Sequence, residues 1–170
     1  MAKNTVFLLF RHAEKPDDGP LLSPAGTQHA QAYVGFLEKF HLGDRPLTVG
    51  AIFAAADTKG SFRPRLTVTP LAEALHLHID TTFEDKQTEA LSRRLLGDEF
   101  NGKLVVICWK HSELLDLAAA LLGDTVLPKR AHWPQRWPDD EYEKMLQIAY
   151  GNNGAVDLLN TYCIQHPALS

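Results

Sequence analysis

The segment 5–14, Thr-Val-Phe-Leu-Leu-Phe-Arg-His-Ala-Glu, changes abruptly from apolar to polar residues. Residues Val6 to Phe10 form a continuous apolar run, which is typical of a strand buried on both faces of a parallel sheet. Arg11 and His12 follow directly and would leave the sheet at the carboxyl end of that strand. Ligands of open parallel sheets bind just beyond those ends. The segment therefore predicts an α/β fold and also the edge of the sheet where its site lies.

Strand and helix patterns alternate along the rest of the chain. Ser23-Pro24 is a favourable helix start, with a capping side chain and a proline at the first helical position, and apolar residues at helical spacing follow down to Gly43. Further strands are predicted at 48–55, 77–80 and 103–109, and further helices from residue 61, over 84–96 and over 112–122. Pro70 should kink or divide the second helix.

The C-terminal part follows another pattern. Leu146, Ile148 and Tyr150 alternate before the turn sequence Gly-Asn-Asn-Gly at 151–154, which predicts a β-hairpin. We therefore expect one domain over residues 1–170. It should be a three-layer α/β/α sandwich with a mostly parallel sheet and a C-terminal β-hairpin.

The composition limits the partners and the compartment. A net charge of −4 provides no long-range attraction to nucleic acid or to an anionic membrane, so any anion site must be a local cluster. Two cysteines do not indicate a disulfide framework. The N-terminal apolar run is too short for a signal peptide, and no segment approaches the roughly 20 apolar residues of a membrane span. The expected location is the cytoplasm.

Polar groups occur at three predicted junctions after strands. His12 and Arg11 follow the first strand, Arg63 lies at the start of the helix after the second, and His111 follows the strand 103–109. If the sheet is parallel, these side chains converge at one edge. Two histidines and two arginines around one point suit in-line phosphoryl transfer through a phosphohistidine, in which one imidazole attacks phosphorus and the cations stabilise the equatorial oxygens.

These motifs, in their order, resemble the histidine phosphatase superfamily, whose members are phosphoglycerate-mutase-like. The resemblance rests on Arg-His-Ala-Glu at 11–14, Leu-Ser-Pro-Ala-Gly at 22–26, Arg63-Pro64 with Thr67, Pro-Leu-Ala at 70–72, and His111-Ser112. It implies that His12 is the nucleophile and that Arg11, Arg63 and His111 bind the phosphate, with no metal or other cofactor. Family mutases are longer, so the resemblance favours a phosphatase acting on a phosphorylated small molecule or a phosphohistidine protein.

The chain departs from the family at the proton donor. Many members carry a recognisable glutamate after the second arginine, whereas this chain has Thr-Phe-Glu-Asp-Lys at 82–86. Glu84, Asp85 and Glu113 are the candidates. Without a clear acid, we expect a preference for leaving groups that need little protonation, such as imidazole or phenolate.

Competing interpretations remain at this point. Arg65 competes with Arg63 as the phosphate ligand, but the spacing to Thr67 favours Arg63, and we expect Arg65 to face solvent. A non-catalytic phospho-binding or scaffold module of the same fold, and a metal hydrolase that uses the histidines, are the alternative functions. His76 and His78 have no carboxylate-rich partner motif, and no partner is evident for His29, His41 and His132.

Overall fold

The computed structural model describes residues 1–165 and has the predicted alternation of strands and helices. The strands are β1 (Val6–Arg11), β2 (His41–Leu42), β3 (Arg45–Pro46), β4 (Val49–Ala54), β5 (Ile79–Asp80), β6 (Leu104–Trp109), β7 (Met145–Ala149) and β8 (Tyr162–Ile164). The α-helices are α1 (Pro24–Glu38), α2 (Arg63–Leu75), α3 (Thr88–Leu95) and α4 (His111–Leu122), and short 3₁₀ turns lie at Asp98–Phe100, Lys129–Ala131 and Leu158–Asn160.

The main sheet is mostly parallel. Its strand order is β5-β4-β6-β1-β7-β8, in which β5, β4, β6 and β1 run parallel, β7 pairs antiparallel with β1, and β8 pairs antiparallel with β7. The predicted α/β class and the C-terminal hairpin are confirmed. Strand β6 lies between β4 and β1. Because these three strands are parallel, their carboxyl ends lie side by side at one edge of the sheet.

Helices cover both faces of the sheet. Alternate residues of each strand point to opposite faces, so that Phe7 and Leu9 pack under α3 and α4, while Leu8 and Phe10 pack under α1 and α2. All six residues of β1 and all six of β6 are buried. This two-sided burial explains why β6 and the first five residues of β1 are apolar, and it leaves the polar chemistry to Arg11 and the residues that follow each strand.

Three predicted helices differ in detail. Helix α1 ends at Glu38, before Gly43, and Gly43 instead lies in the turn of the small β2–β3 hairpin with φ +61°. Helix α2 is not divided at Pro70, since burial of Val68 and Leu71 holds both halves on the sheet. Helix α3 begins at Thr88 rather than at residue 84, and in the segment before it the Asp85 carbonyl accepts a hydrogen bond from Trp109 Nε1 (2.8 Å).

The start of α1 packs directly against the segment that follows β1. Ser23 caps the helix as predicted: its Oγ accepts from Gly26 N at 3.0 Å, and Ser23 N donates to the Glu14 carbonyl at 2.9 Å. A Cβ on Gly26 would lie 2.3 Å from the Glu14 carbonyl oxygen. Only glycine permits this approach, which fixes the backbone two residues after His12.

None of the helices in residues 1–165 has the length and apolar character that a bilayer crossing requires.

Substitution of Gly26 should destabilise the protein, while the same change at Gly35 on the same helix should not. A methyl group at Gly26 collides with backbone, so we expect Gly26→Ala to lower the free energy of unfolding by about 1–3 kcal/mol. Gly35 has open space around its Cα, so Gly35→Ala should raise that free energy by up to about 1 kcal/mol through helix propensity. Urea unfolding measures both, and equal effects of the two variants would contradict the close approach.

Candidate active site

Pairing of β1 with β6 sets the geometry of the site. The register places Arg11 beside Trp109, and His12 N donates to the Trp109 carbonyl at 3.3 Å, so the ladder continues one residue beyond β1. Lys110 follows Trp109 at the end of β6, and His111 begins α4 immediately afterwards. The two histidines predicted from separate strand ends therefore lie at the same point of the sheet edge.

His12 is held in one tautomer. Its Nδ1 lies 2.8 Å from the Ala13 carbonyl oxygen, which can only accept, so Nδ1 carries the proton and Nε2 keeps a lone pair. The residue is 6% exposed, and its ring lines a cavity. Burial and the charges of Arg11 and Arg63 lower the pKa of His12 to about 4, although its bond to the Ala13 carbonyl acts in the opposite direction. The imidazole is therefore neutral at neutral pH and has a nucleophilic nitrogen.

Arg11 is anchored from outside the sheet by a loop before β7, residues 137–142, which we call the strap. The Nη1 atom of Arg11 donates to the carbonyls of Asp139 and Glu141, and the guanidinium carbon lies 4.0 Å from the ring centre of Tyr142. Arg11 Nε is buried without a hydrogen-bond partner among residues 1–165. The strap thus fixes the plane of the guanidinium while one of its N–H groups stays free.

Arg63 is the first residue of α2, where helix N-termini favour anions. Its Nη1 donates to the carbonyls of Gly19 (2.8 Å) and Leu21 (3.4 Å), and its buried Nε lacks a partner in the described part of the chain. Thr67, one turn later, accepts from Ala13 N at 2.8 Å and donates to the Arg63 carbonyl at 2.7 Å. The Arg63–Thr67 spacing therefore ties α2 to the backbone next to His12.

His111 faces the same cavity from the start of α4. Its Nε2 lies 2.9 Å from Asp139 Oδ1, and its Nδ1 is buried with no hydrogen-bond partner in residues 1–165. Burial and the Arg11 charge lower the pKa of His111, and the contact with Asp139 opposes that change. The lowered pKa favours a neutral His111 ring, whose Nε2–H is directed to Asp139 Oδ1.

The cavity encloses about 300 Å³ and is strongly cationic. Its lining combines the four predicted residues with two lysines, two hydroxyls and one carboxylate: Arg11, His12, Arg63, His111, Lys15, Lys110, Thr58, Ser61 and Asp85. Such a local concentration of positive charge, in a chain with a net charge of −4, is the arrangement expected of a site for a small anion.

Solved structures of histidine phosphatases superpose on most of the chain. A tungstate complex of the protein histidine phosphatase SixA matches 95% of this chain and 97% of its own, with a TM-score of 0.60 and 12% identity. Phosphoglycerate mutase from Plasmodium falciparum matches 92% and 89% (TM-score 0.57, 12% identity), and a VO₃ complex of a mycobacterial glucosyl-3-phosphoglycerate phosphatase matches 91% and 98% (TM-score 0.57, 16% identity). No protein-family model matches the sequence, and no curated protein is significantly similar to it in sequence.

The chain has the histidine phosphatase fold. The resemblance inferred from the ordered motifs is thereby confirmed at the level of the fold. Two of these three structures are complexes with an oxyanion, tungstate or VO₃.

Of the three predicted proton-donor candidates, the structure brings only Asp85 to the cavity of this histidine phosphatase fold. Its Oδ2 lies 3.5 Å from Lys110 Nζ, and its carbonyl is held by the Trp109 indole. Glu84 is exposed on the same loop, and Glu113 lies in the first turn of α4; neither lines the cavity.

Other predicted residues have structural partners instead. Arg65 is half-buried and pairs with Asp57 (2.9 Å) outside the cavity, so Arg63 is the arginine that the fold brings to His12. The expectation that His29 lacks a partner is wrong: its Nδ1 lies 2.8 Å from Glu14 Oε1, and its ring stacks on Tyr33. His76 and His78 do not belong to any cluster of three or more His, Cys, Asp or Glu side chains in residues 1–165.

Sequence reasoning missed Asp139 and Tyr142 of the strap and the two lysines of the cavity, Lys15 and Lys110. The strap lies in a proline-rich stretch without periodicity, and nothing in that stretch indicates that its carbonyls would meet Arg11. The lysines did have a signal, since Lys15 follows the first motif closely and Lys110 immediately precedes His111.

The titration of His12 should report its cationic surroundings. A lowered pKa means that the protonated fraction of His12 increases only as the pH falls toward about 4, well below the usual 6.5. Removing one neighbouring charge with Arg63→Met should raise the midpoint, whereas Arg65→Met, outside the cavity, should not change it. NMR of the histidine ring protons, with His12→Asn to assign the signal, measures this. A midpoint of 6.5 or above in the wild type would contradict the described site.

Proposed function

We propose that this protein is a phosphatase that hydrolyses a phosphate monoester or a phosphoramidate through a phosphohistidine on His12. The fold and the composition of the cavity support this class of reaction, and its steps pass through the chain's own side chains. In the first step, His12 Nε2 forms a bond to phosphorus while the bond from phosphorus to the leaving group breaks. In the second, water attacks the phosphoimidazole, the P–N bond breaks, and inorganic phosphate is released.

The observation that carries this proposal is a set of three unsatisfied nitrogens. Arg11 Nε, Arg63 Nε and His111 Nδ1 are the buried side-chain N and O atoms that lack a hydrogen-bond partner within residues 1–165, and all three residues line the cavity with His12. Buried polar atoms are nearly always paired, so three orphans in one cavity point to an absent binding partner. A phosphoryl group has three equatorial oxygens, which can accept from the two guanidinium Nε–H groups and, once its ring is protonated, from His111 Nδ1; the charge of these oxygens increases in the transition state.

The tautomer of His12 supports the role of nucleophile rather than of ligand. The Ala13 carbonyl holds Nδ1–H, and burial together with the surrounding positive charges keeps Nε2 unprotonated. A protonated imidazole could bind phosphate but could not attack it. The same charges that favour anion binding therefore also keep the nucleophile active.

Within residues 1–165, the lining of the cavity holds one carboxylate, Asp85. Its Oδ2 pairs with Lys110 Nζ at 3.5 Å. No carboxyl group in that lining is therefore free of a cationic partner. This arrangement supports substrates whose leaving group departs with little protonation, namely phosphohistidine or aryl phosphates, as the sequence already indicated.

Phosphohistidine formation is the direct test of this function. Rapid quenching with a labelled aryl phosphate should trap an acid-labile, alkali-stable phosphoryl group on the wild type, together with a burst of product. His12→Asn should abolish both, because no other ring nitrogen replaces Nε2. The matched control His41→Asn alters an exposed histidine outside the cavity, whose Nδ1 contacts the nearby Lys39 carbonyl, and should label normally. EDTA should not change the rate.

Two outcomes would contradict the proposal. If the wild type binds vanadate but neither turns over nor labels, the chain is a phospho-binding module with this fold. If His12→Asn still labels, the nucleophile is another residue.

Leaving-group dependence tests the chemistry of Asp85. Since a general acid contributes about 10²–10⁴-fold to rate, its absence should make kcat/KM for an aryl phosphate at least about 100 times that for an alkyl phosphate. Asp85→Asn should leave this ratio nearly unchanged, as should Glu84→Gln and Glu113→Gln outside the cavity. Equal rates on both esters in the wild type, with selective loss of the alkyl ester in Asp85→Asn, would identify Asp85 as the acid and overturn the expected preference.

A further inference from the structure

Asp139 of the strap contacts both Arg11 and His111, the residues that flank the proposed phosphate site at the ends of β1 and β6. Its backbone carbonyl accepts from Arg11 Nη1, and its carboxylate Oδ1 lies 2.9 Å from His111 Nε2. The backbone and the side chain of Asp139 thus fix the Arg11 guanidinium and the His111 imidazole in position relative to each other. Among the described residues, Asp139 is the carboxylate bound to His111.

We propose that Asp139 is a positioning residue for the phosphoryl group: its carboxylate holds His111 Nε2–H and leaves Nδ1 to bind a phosphoryl oxygen. This rests on the proposed function, because the anion it prepares His111 to receive is the transferring phosphoryl. When a phosphoryl dianion enters, His111 takes up one proton from solvent at Nδ1 and donates it in a hydrogen bond to the anion. The proton returns to solvent when phosphate leaves.

The charges around His111 explain why the proton should arrive together with the anion. Three cationic residues line the cavity: Arg11 from β1, Arg63 from α2, and Lys110, which is next to His111 in the chain. The His12 ring also faces this cavity. These charges disfavour an imidazolium at His111. Asp139 is the opposing carboxylate at hydrogen-bond distance, and Asp85 lies across the cavity in its pair with Lys110. A bound dianion adds negative charge beside Nδ1 and reverses the balance.

Geometry makes the hydrogen bond with Asp139 specific. If His111 carried its single proton on Nδ1 instead, the Nε2 lone pair would face the Asp139 carboxylate and be repelled. The carboxylate therefore selects the Nε2–H tautomer, in the same way that a carboxylate orients the second nitrogen of histidines in other reactive sites. Because Nδ1 is buried and unpartnered in this tautomer, it is ready for a ligand.

The neighbouring Asp140 is a matched control. It is exposed, it belongs to the same strap, and it influences Arg11 through charge alone. Asp139→Asn and Asp140→Asn remove the same charge one residue apart, and both retain the backbone carbonyl that binds Arg11. The Asp139 side chain is 96% exposed, so the substitution removes no packing.

The experiment follows His111 by NMR in the absence and presence of inorganic phosphate, with phosphate affinity and kcat/KM for an aryl phosphate measured on the same variants. In the wild type, phosphate should raise the His111 midpoint. Asp139→Asn should lower that midpoint in both states and weaken phosphate binding by about 5-fold, the effect of an exposed ion pair. It should reduce kcat/KM by about 10-fold. Asp140→Asn should change none of these by more than about 2-fold.

Two further readouts separate positioning from general damage to the fold. The His12 midpoint should stay unchanged in Asp139→Asn, and the difference between the two variants should shrink at 1 M salt, where an exposed pair is screened. The proposal is overturned if Asp139→Asn and the wild type show the same His111 midpoints and phosphate affinity, or if Asp140→Asn has the same effect. If the wild type binds phosphate with the expected His111 shift but has no turnover, the proposed function fails while the role of Asp139 in binding phosphate stands.

Discussion

The parallel pairing of β1 with β6 is the constraint on which the rest of the structure depends. Six residue pairs, from Val6–Leu104 to Arg11–Trp109, fix where each strand ends, and the bond from His12 N to the Trp109 carbonyl extends the ladder into the site. A slip of one residue would turn every side chain to the opposite face. Since both faces carry helices, the apolar core residues hold the register, and the register holds the two histidines together.

The arginines of the site are anchored by carbonyl groups rather than by carboxylates. Arg11 donates to the strap carbonyls, and Arg63 donates to those of Gly19 and Leu21. A carbonyl satisfies a buried N–H without cancelling the charge, so each guanidinium keeps its full attraction for an anion. The cavity is therefore cationic although the chain as a whole is acidic. Two loops that lie far apart in the sequence orient the two arginines.

One electrostatic field serves two purposes in this cavity. Positive charge favours an oxyanion and, by the same Coulomb energy, disfavours protonation of His12. Two carboxylates contact basic residues of the cavity: Asp139 contacts His111, and Asp85 contacts Lys110. Each carboxylate is thus tied to a basic group, and the balance of charge at the cavity depends on both pairs.

Much of this molecule was evident from local sequence. The apolar runs at 6–10 and 103–109 predict strands buried on both faces, the Ser23-Pro24 start predicts α1, and the ordered motifs indicate the fold and name Arg11, His12, Arg63 and His111. These features depend on periodicity, capping and strand ends, which are properties of neighbouring residues. Only the tertiary structure decided that Asp85 rather than Glu84 or Glu113 reaches the cavity, that His29 pairs with Glu14, and that the strap holds Arg11 and His111. Those contacts join residues 15 to 128 positions apart through loops, and the position of a loop carbonyl or carboxylate depends on packing that no local pattern records.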